Sequence, residues 1–209
     1  MRGLAILCSI LVFHTTLGQQ SVSCSHHISD SVCADVSFSG EAEDFVEPVL
    51  AAAAAFHELS GVHVEIQRRG IKSMMAARPK AGFLFKKKEN REYVIIISDR
   101  EDMNAEVLYG GMSTCAQTGV IGHEFSHILS YESMTNMQLL WFGIKYAFNR
   151  KQVEAETDLM AIKKGFGKQI IEFNQYLHRS PRTNKKYLQK KKKYYLTSYE
   201  IEQKILENL

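Results

Sequence analysis

The stretch Val120-Ile121-Gly122-His123-Glu124-Phe125-Ser126-His127-Ile128-Leu129 sets two histidines four residues apart inside an otherwise apolar run. On an α-helix, residues four apart stand one turn above each other on the same face. The pattern therefore asks for a buried helix that aims two imidazoles at one point. Two buried imidazoles without partners are costly. Plain core histidines are the bland reading; a shared Zn²⁺, reached from both rings at about 2.0–2.1 Å, is the one the setting favours. Glu124 is one residue along and cannot comfortably bind the same ion. Its carboxylate can instead take a proton from an attacking water.

A catalytic zinc needs three protein ligands and an open position. A histidine six residues beyond His127, with a glycine midway, would mark the metzincin arrangement, but those positions are Ser133 and Ser130. Glu132 is nine residues past His123 and about half a turn out of phase. Further on, Val153-Glu154-Ala155-Glu156-Thr157-Asp158 places Glu154 and Asp158 on one helical face, with Glu156 pointing elsewhere. By itself this is an ordinary acidic, solvated face. Beside the histidine motif it supplies Glu154 as third ligand and Asp158 as the acceptor that fixes a histidine ring.

The pairing of His123-Glu124-x-x-His127 with Glu154-x-x-x-Asp158 on a later helix resembles the gluzincins. It is most similar to the envelope and membrane peptidases related to the CAAX prenyl proteases, and more distantly to the thermolysin-type enzymes. The resemblance covers about Ala105 to Gly165. It implies a zincin-like fold in which His123, His127 and Glu154 bind zinc, Glu124 is general base and proton shuttle, and Asp158 orients His123. Two departures stand out: Thr157 occupies a position where the envelope family usually has alanine, and the flanking membrane spans of many members are missing.

The rest of the chain reads as α+β. Glu41 to Leu59 is expected to be a helix, stopped by Gly61. Val62 to Ile66 alternates like a half-buried strand, Ile71 to Ala77 is a second extended stretch, and Gly82–Phe85 with Tyr93–Ile97 looks like a hairpin around the charged loop 86–91. Ala105 to Ser113 reads as a last strand, an exposed edge able to hold a peptide in extended form. The expected sheet is small and mostly antiparallel. Helices follow: 114 to about Tyr131, Met134 to Phe148, Gln152 to Lys164, Lys168 to about His178, and a short terminal one opened by the capping box Thr197-Ser198-Tyr199-Glu200. The domain plan is a signal peptide (1–18), a polar segment (19–40), a catalytic domain (41–178), and a basic segment with a C-terminal helix (179–209).

Met1-Arg2, the apolar run Gly3 to Phe13 and the small residues before a cut after Gly18 have the order of a secretory signal peptide. Export to a periplasmic, envelope or extracellular compartment makes disulfides available. Cys24 and Cys33 then close a small polar loop, and Cys115 is left as a buried small apolar residue. A bridge from Cys115 to Cys24 or Cys33 is the alternative.

A donor must stabilise the oxyanion of peptide hydrolysis. His178, on the helix after the third ligand, is preferred to Tyr176 and Tyr131. A net charge of +3 is too small to argue for a nucleic-acid partner, although Arg179 to Lys193 concentrates positive charge. That segment reads as a solvated connection, with a peripheral membrane or acidic-partner contact as the other use. Met134 to Phe148 has no charge before Lys145 and is expected to be buried against the metal helix. The functional expectation is an exported zinc metalloendopeptidase acting on protein or peptide. The alternative from another class is a non-catalytic envelope binding protein that keeps the fold.

Overall fold

The structure, a computed structural model, describes residues 34–39, 41–99, 111–181 and 183–207. The expected signal peptide, nearly all of the polar segment 19–40, and most of the expected strand Ala105 to Ser113 lie outside these residues. Of that strand, Gly111–Ser113 is described, and it is not extended ladder.

The chain is α+β. Strand β1 (Asp35–Ser39) leads through a 3₁₀ turn into helix α1 (Val46–Ala53), and β2 (His63–Arg68), β3 (Met75–Pro79) and β4 (Glu92–Ile97) follow. The expected single helix from Glu41 to Leu59 is thus broken into a 3₁₀ turn, α1, and a second 3₁₀ turn at His57–Leu59. Pro48 lies in the first turn of α1, where its missing N–H costs no helical bond.

The sheet runs β1-β2-β4-β3. The expected mostly antiparallel sheet is corrected here: among the described residues β1/β2 and β2/β4 are parallel, and only β3/β4 is antiparallel. Parallel neighbours need a crossover, and α1 provides the one between β1 and β2. The expected hairpin fails because Phe83–Phe85 forms a 3₁₀ turn, so β4 takes β3 as its antiparallel partner. Central β4 is packed on both faces. Tyr93, Ile95 and Ile97 join the main core under the helices, while Val94 and Ile96 form a small cluster with Ile71 on the other side. This explains its unbroken apolar run.

Helix α2 (Thr114–Glu132) is the axis of the molecule and carries the histidine motif. The Ser113 side chain accepts from Ala116 N–H at its start. At its other end the buried Arg91 guanidinium donates to the carbonyls of Tyr131 (3.2 Å) and Met134 (2.8 Å), and to Asn136 Oδ1 (2.8 Å). A cation at that end also opposes the helix dipole. Behind the motif, Phe125 stacks on Phe56 at 5.5 Å, and Phe56 stacks on Phe166 at 5.8 Å.

Helices α3 (Asn136–Lys163), α4 (Gly167–Arg179), α5 (Lys185–Tyr194) and α6 (Ser198–Glu207) complete the fold. Two glycines set how closely α4 approaches α2. A Cβ on Gly119 would fall 2.6 Å from the Gln169 backbone, and one on Gly122 would fall 2.7 Å from the Phe166 ring. The two helices expected at 134–148 and 152–164 are one, opened by a Thr135/Gln138 capping box and kinked at Asn149 (φ −115°, ψ 31°).

Three further readings need correction. Met134 to Phe148 is not buried against α2: Leu139 is buried, but Met137, Trp141, Ile144 and Phe148 face outward. The basic segment is not a loose connection, since Asn184 caps α5 and Tyr187 packs against the core. Cys115 is not a lone thiol but disulfide-bonded. Every other cysteine of the chain (Cys8, Cys24 and Cys33) lies outside the described residues.

Candidate metal centre

His123, His127 and Glu154 meet in the interior, with potential ligand atoms all within 4.8 Å of one another. The two rings are edge to face with centroids 4.9 Å apart, one helical turn along α2. Glu154 Oε2 lies 3.3 Å from His123 Nε2 and 3.4 Å from His127 Nε2.

The outer nitrogens are fixed by residues on the neighbouring α3. His123 Nδ1 lies 2.8 Å from Asp158 Oδ1, a carboxylate oxygen that can only accept, so Nδ1 carries the hydrogen. The second Asp158 oxygen accepts from Leu196 N–H at 2.9 Å. His127 Nδ1 lies 3.2 Å from Thr157 Oγ1, whose own hydrogen goes to the Val153 carbonyl at 2.9 Å. Both rings therefore donate from Nδ1 and turn Nε2 toward Glu154 Oε2.

The two oxygens of Glu154 are unlike. Oε1 accepts from Tyr146 Oη (2.5 Å), Tyr195 Oη (3.0 Å) and Arg150 Nε (3.1 Å). Oε2 is buried without a hydrogen-bond partner. An orphaned carboxylate oxygen is rare in an interior and calls for a partner. Here that partner must be positive and must also suit two imidazole lone pairs. Burial works against the charged form of Glu154, but the two histidines hold its carboxyl well below the ordinary range. Burial likewise works against a charged His123; the carboxylates of Asp158 and Glu154 beside it override this and raise it to about 10. The pocket demands positive charge. A metal cation would meet that demand, with two ring nitrogens and one carboxylate oxygen offered as its ligand atoms.

Glu124 stands beside the three. Its Oε2 accepts from Ala77 N–H of the edge strand β3 at 2.7 Å. Tyr131, whose ring stacks 6.0 Å from that of His127, donates from Oη to the Ala77 carbonyl over a long 3.4 Å. Glu124, His127 and Glu154 line one wall of a cleft of about 570 Å³; β3 and the first half of α3 form its other sides.

The structure thus brings together His123, Glu124, His127, Glu154 and Asp158. Glu156 is exposed and bonded to Gln152, and Glu132 is engaged by Tyr93 Oη at 2.5 Å, so neither joins the cluster. His178 does not join either. It is exposed near the end of α4 and lines a different hollow with Asn174 and Leu177, so the oxyanion role expected of it has no geometric basis. Tyr176 is also absent from the cleft walls, whereas Tyr131 is part of them.

Sequence reasoning missed Thr157, Tyr146, Arg150 and Tyr195. Three of these had a signal: Tyr146, Arg150 and Glu154 repeat at four-residue spacing on one helical face, and Thr157 is three residues past the ligand. Tyr195 had none, because only the tertiary fold brings the end of α5 to Glu154. No protein family, curated protein or solved structure matches the chain.

Proposed function

We propose that this protein is an exported zinc metalloendopeptidase of zincin-like fold. One observation carries the reading: the partnerless Glu154 Oε2 converges with two tautomer-fixed Nε2 atoms, and Glu124 lies beside them in a cleft. His123, His127 and Glu154 would hold the ion. Zinc held there would supply a Lewis acid able to polarise the scissile carbonyl and acidify water.

The residues of the chain do the remainder. Glu124, held by the Ala77 amide, accepts the proton of the attacking water and passes it to the leaving amine. Asp158 and Thr157 keep the imidazoles from rotating. Among the described residues strand β3 is outermost in the sheet and borders the cleft, so an extended peptide can lie along it. Tyr131 is the best-placed oxyanion donor. Its one bond is long, whereas Tyr146 and Tyr195 commit their hydroxyls to Glu154. Lys72, Arg78 and Lys190 also line the cleft, which favours acidic side chains in the substrate. The disulfide at Cys115 supports an oxidising compartment.

The test is zinc stoichiometry of the purified protein together with cleavage of casein and a peptide library, repeated for Glu124→Gln. The variant should retain zinc and lose cleavage by at least about 100-fold. Equal cleavage by both forms would sink the mechanism. Zinc retained by a wild-type protein that cleaves nothing would favour a binding module instead.

A further inference from the structure

The first half of α3 is apolar on two opposite faces. Phe142 and Tyr146 point into the cleft, while Met137 (60% exposed), Trp141 (64%), Ile144 (48%) and Phe148 (82%) form a stripe on the opposite side. Their spacing of four, three and four residues is that of a single helical face. Asn136 donates through Nδ2 to the carbonyls of Leu84 and Lys86, which fastens the preceding turn to the start of α3. That turn adds Phe85, 93% exposed. Soluble surfaces seldom expose so many large apolar side chains together; such a patch marks a contact with protein or lipid.

Charge decides between those occupants. From Ser133 to Val153 the sequence has no Asp or Glu, and it carries Lys145, Arg150 and Lys151. From Gln67 to Lys88 there is again no acid, and the segment ends in Lys86-Lys87-Lys88. Lys87, Lys88, Lys145 and Lys151 are exposed. A second copy docking through this face would bring like charges together. An anionic bilayer offers both things the face lacks: apolar acyl chains for the stripe, and phosphates for the lysines around it. Tryptophan and phenylalanine flanked by lysine are typical of side chains lying at a membrane–water interface. No helix among the described residues is long and apolar enough to cross a membrane, so the contact is peripheral.

We infer that the outer face of α3, with the Phe85 turn, docks the protein on the surface of an anionic lipid membrane. Leu140 is exposed and also lines the cleft, so the docking face reaches the rim of the cleft. The inference does not depend on peptide hydrolysis, and its test reads binding alone.

Trp141 is the only tryptophan in the chain and sits in the stripe, so its emission reports on the contact directly. The full protein is titrated with vesicles of phosphatidylcholine alone and of phosphatidylcholine mixed with phosphatidylglycerol. With the anionic vesicles, Trp141 emission should shift to the blue, become quenchable by bromine-labelled acyl chains, and revert as salt is raised. Neutral vesicles should bind at least about tenfold more weakly. Ile144→Ser with Phe148→Ser should weaken partition by at least about tenfold. Lys87→Glu with Lys88→Glu, both at exposed positions, should abolish the preference for anionic lipid. Emission unchanged by any vesicle overturns the proposal. So does equal binding to neutral and anionic vesicles, or a blue shift that grows with protein concentration in the absence of lipid, which would assign the face to a second copy.

Discussion

The two halves of α3 invert the usual relation between hydropathy and burial. Before the kink at Asn149 the helix is rich in Met, Leu, Trp, Ile and Phe, and most of that face is exposed. After it, Glu154, Thr157 and Asp158 are all buried, Glu154 and Asp158 each at 1% exposure. Burial here follows partnership rather than polarity. Each buried polar atom of the second half has a donor or acceptor aimed at it, except the one oxygen turned toward the histidines. The apolar side chains of the first half have a facing surface only where the cleft and the core supply one. A helix can therefore be split by function at a single non-helical residue. The inner part builds a site; the outer part presents a surface.

Substitutions in the two halves should separate them. The largest effect is expected from Glu154→Ala, which removes a ligand and leaves Tyr146, Tyr195 and Arg150 without their acceptor; bound zinc measured by mass spectrometry should fall to background, and cleavage with it. Asp158→Asn follows, with zinc affinity reduced about 10- to 100-fold in chelator competition, because the His123 ring loses its charged acceptor. Thr157→Val keeps shape and removes only the oxygen facing His127 Nδ1; a loss of about tenfold in the same assay is expected. The smallest effect belongs to the outer half. Ile144→Ser should change unfolding free energy by no more than about 0.5 kcal/mol in a denaturant titration, since its side chain already faces water. A destabilisation by Ile144→Ser as large as that of a core truncation would break the comparison, and an unchanged zinc affinity in Thr157→Val would confine the partnership rule to charged residues.

How much of this was legible in advance differs between site and frame. His123, Glu124 and His127 were readable because helical geometry turns a four-residue spacing into a shared face. Glu154 and Asp158 were readable for the same reason once the first pair was in hand. Strand β1, inside the polar segment 19–40, was not, and neither was its parallel pairing with β2, since strand alternation says which side is buried and not which way a neighbour runs. Nor was the exposure of Trp141 and Phe148, as apolar periodicity marks a face without naming what covers it. His178 failed as a candidate because proximity in sequence to a ligand helix says nothing about which side of the next helix faces the site. The basic run 185–194 was misread through its charge alone; what places it is Tyr187 packing on the core and Tyr195 reaching Glu154.

The contact between Asp158 and the Leu196 amide bears on when the protein becomes competent as well as on how. Synthesis delivers the histidine motif first and Glu154 about thirty residues later, while Tyr195 and Leu196 follow about forty residues after that. A chain that stops before them holds every proposed metal ligand yet lacks one of the hydroxyls that steer Glu154 and the amide that steadies Asp158. The geometry of the cluster therefore depends on a segment about forty residues past Glu154 in the sequence.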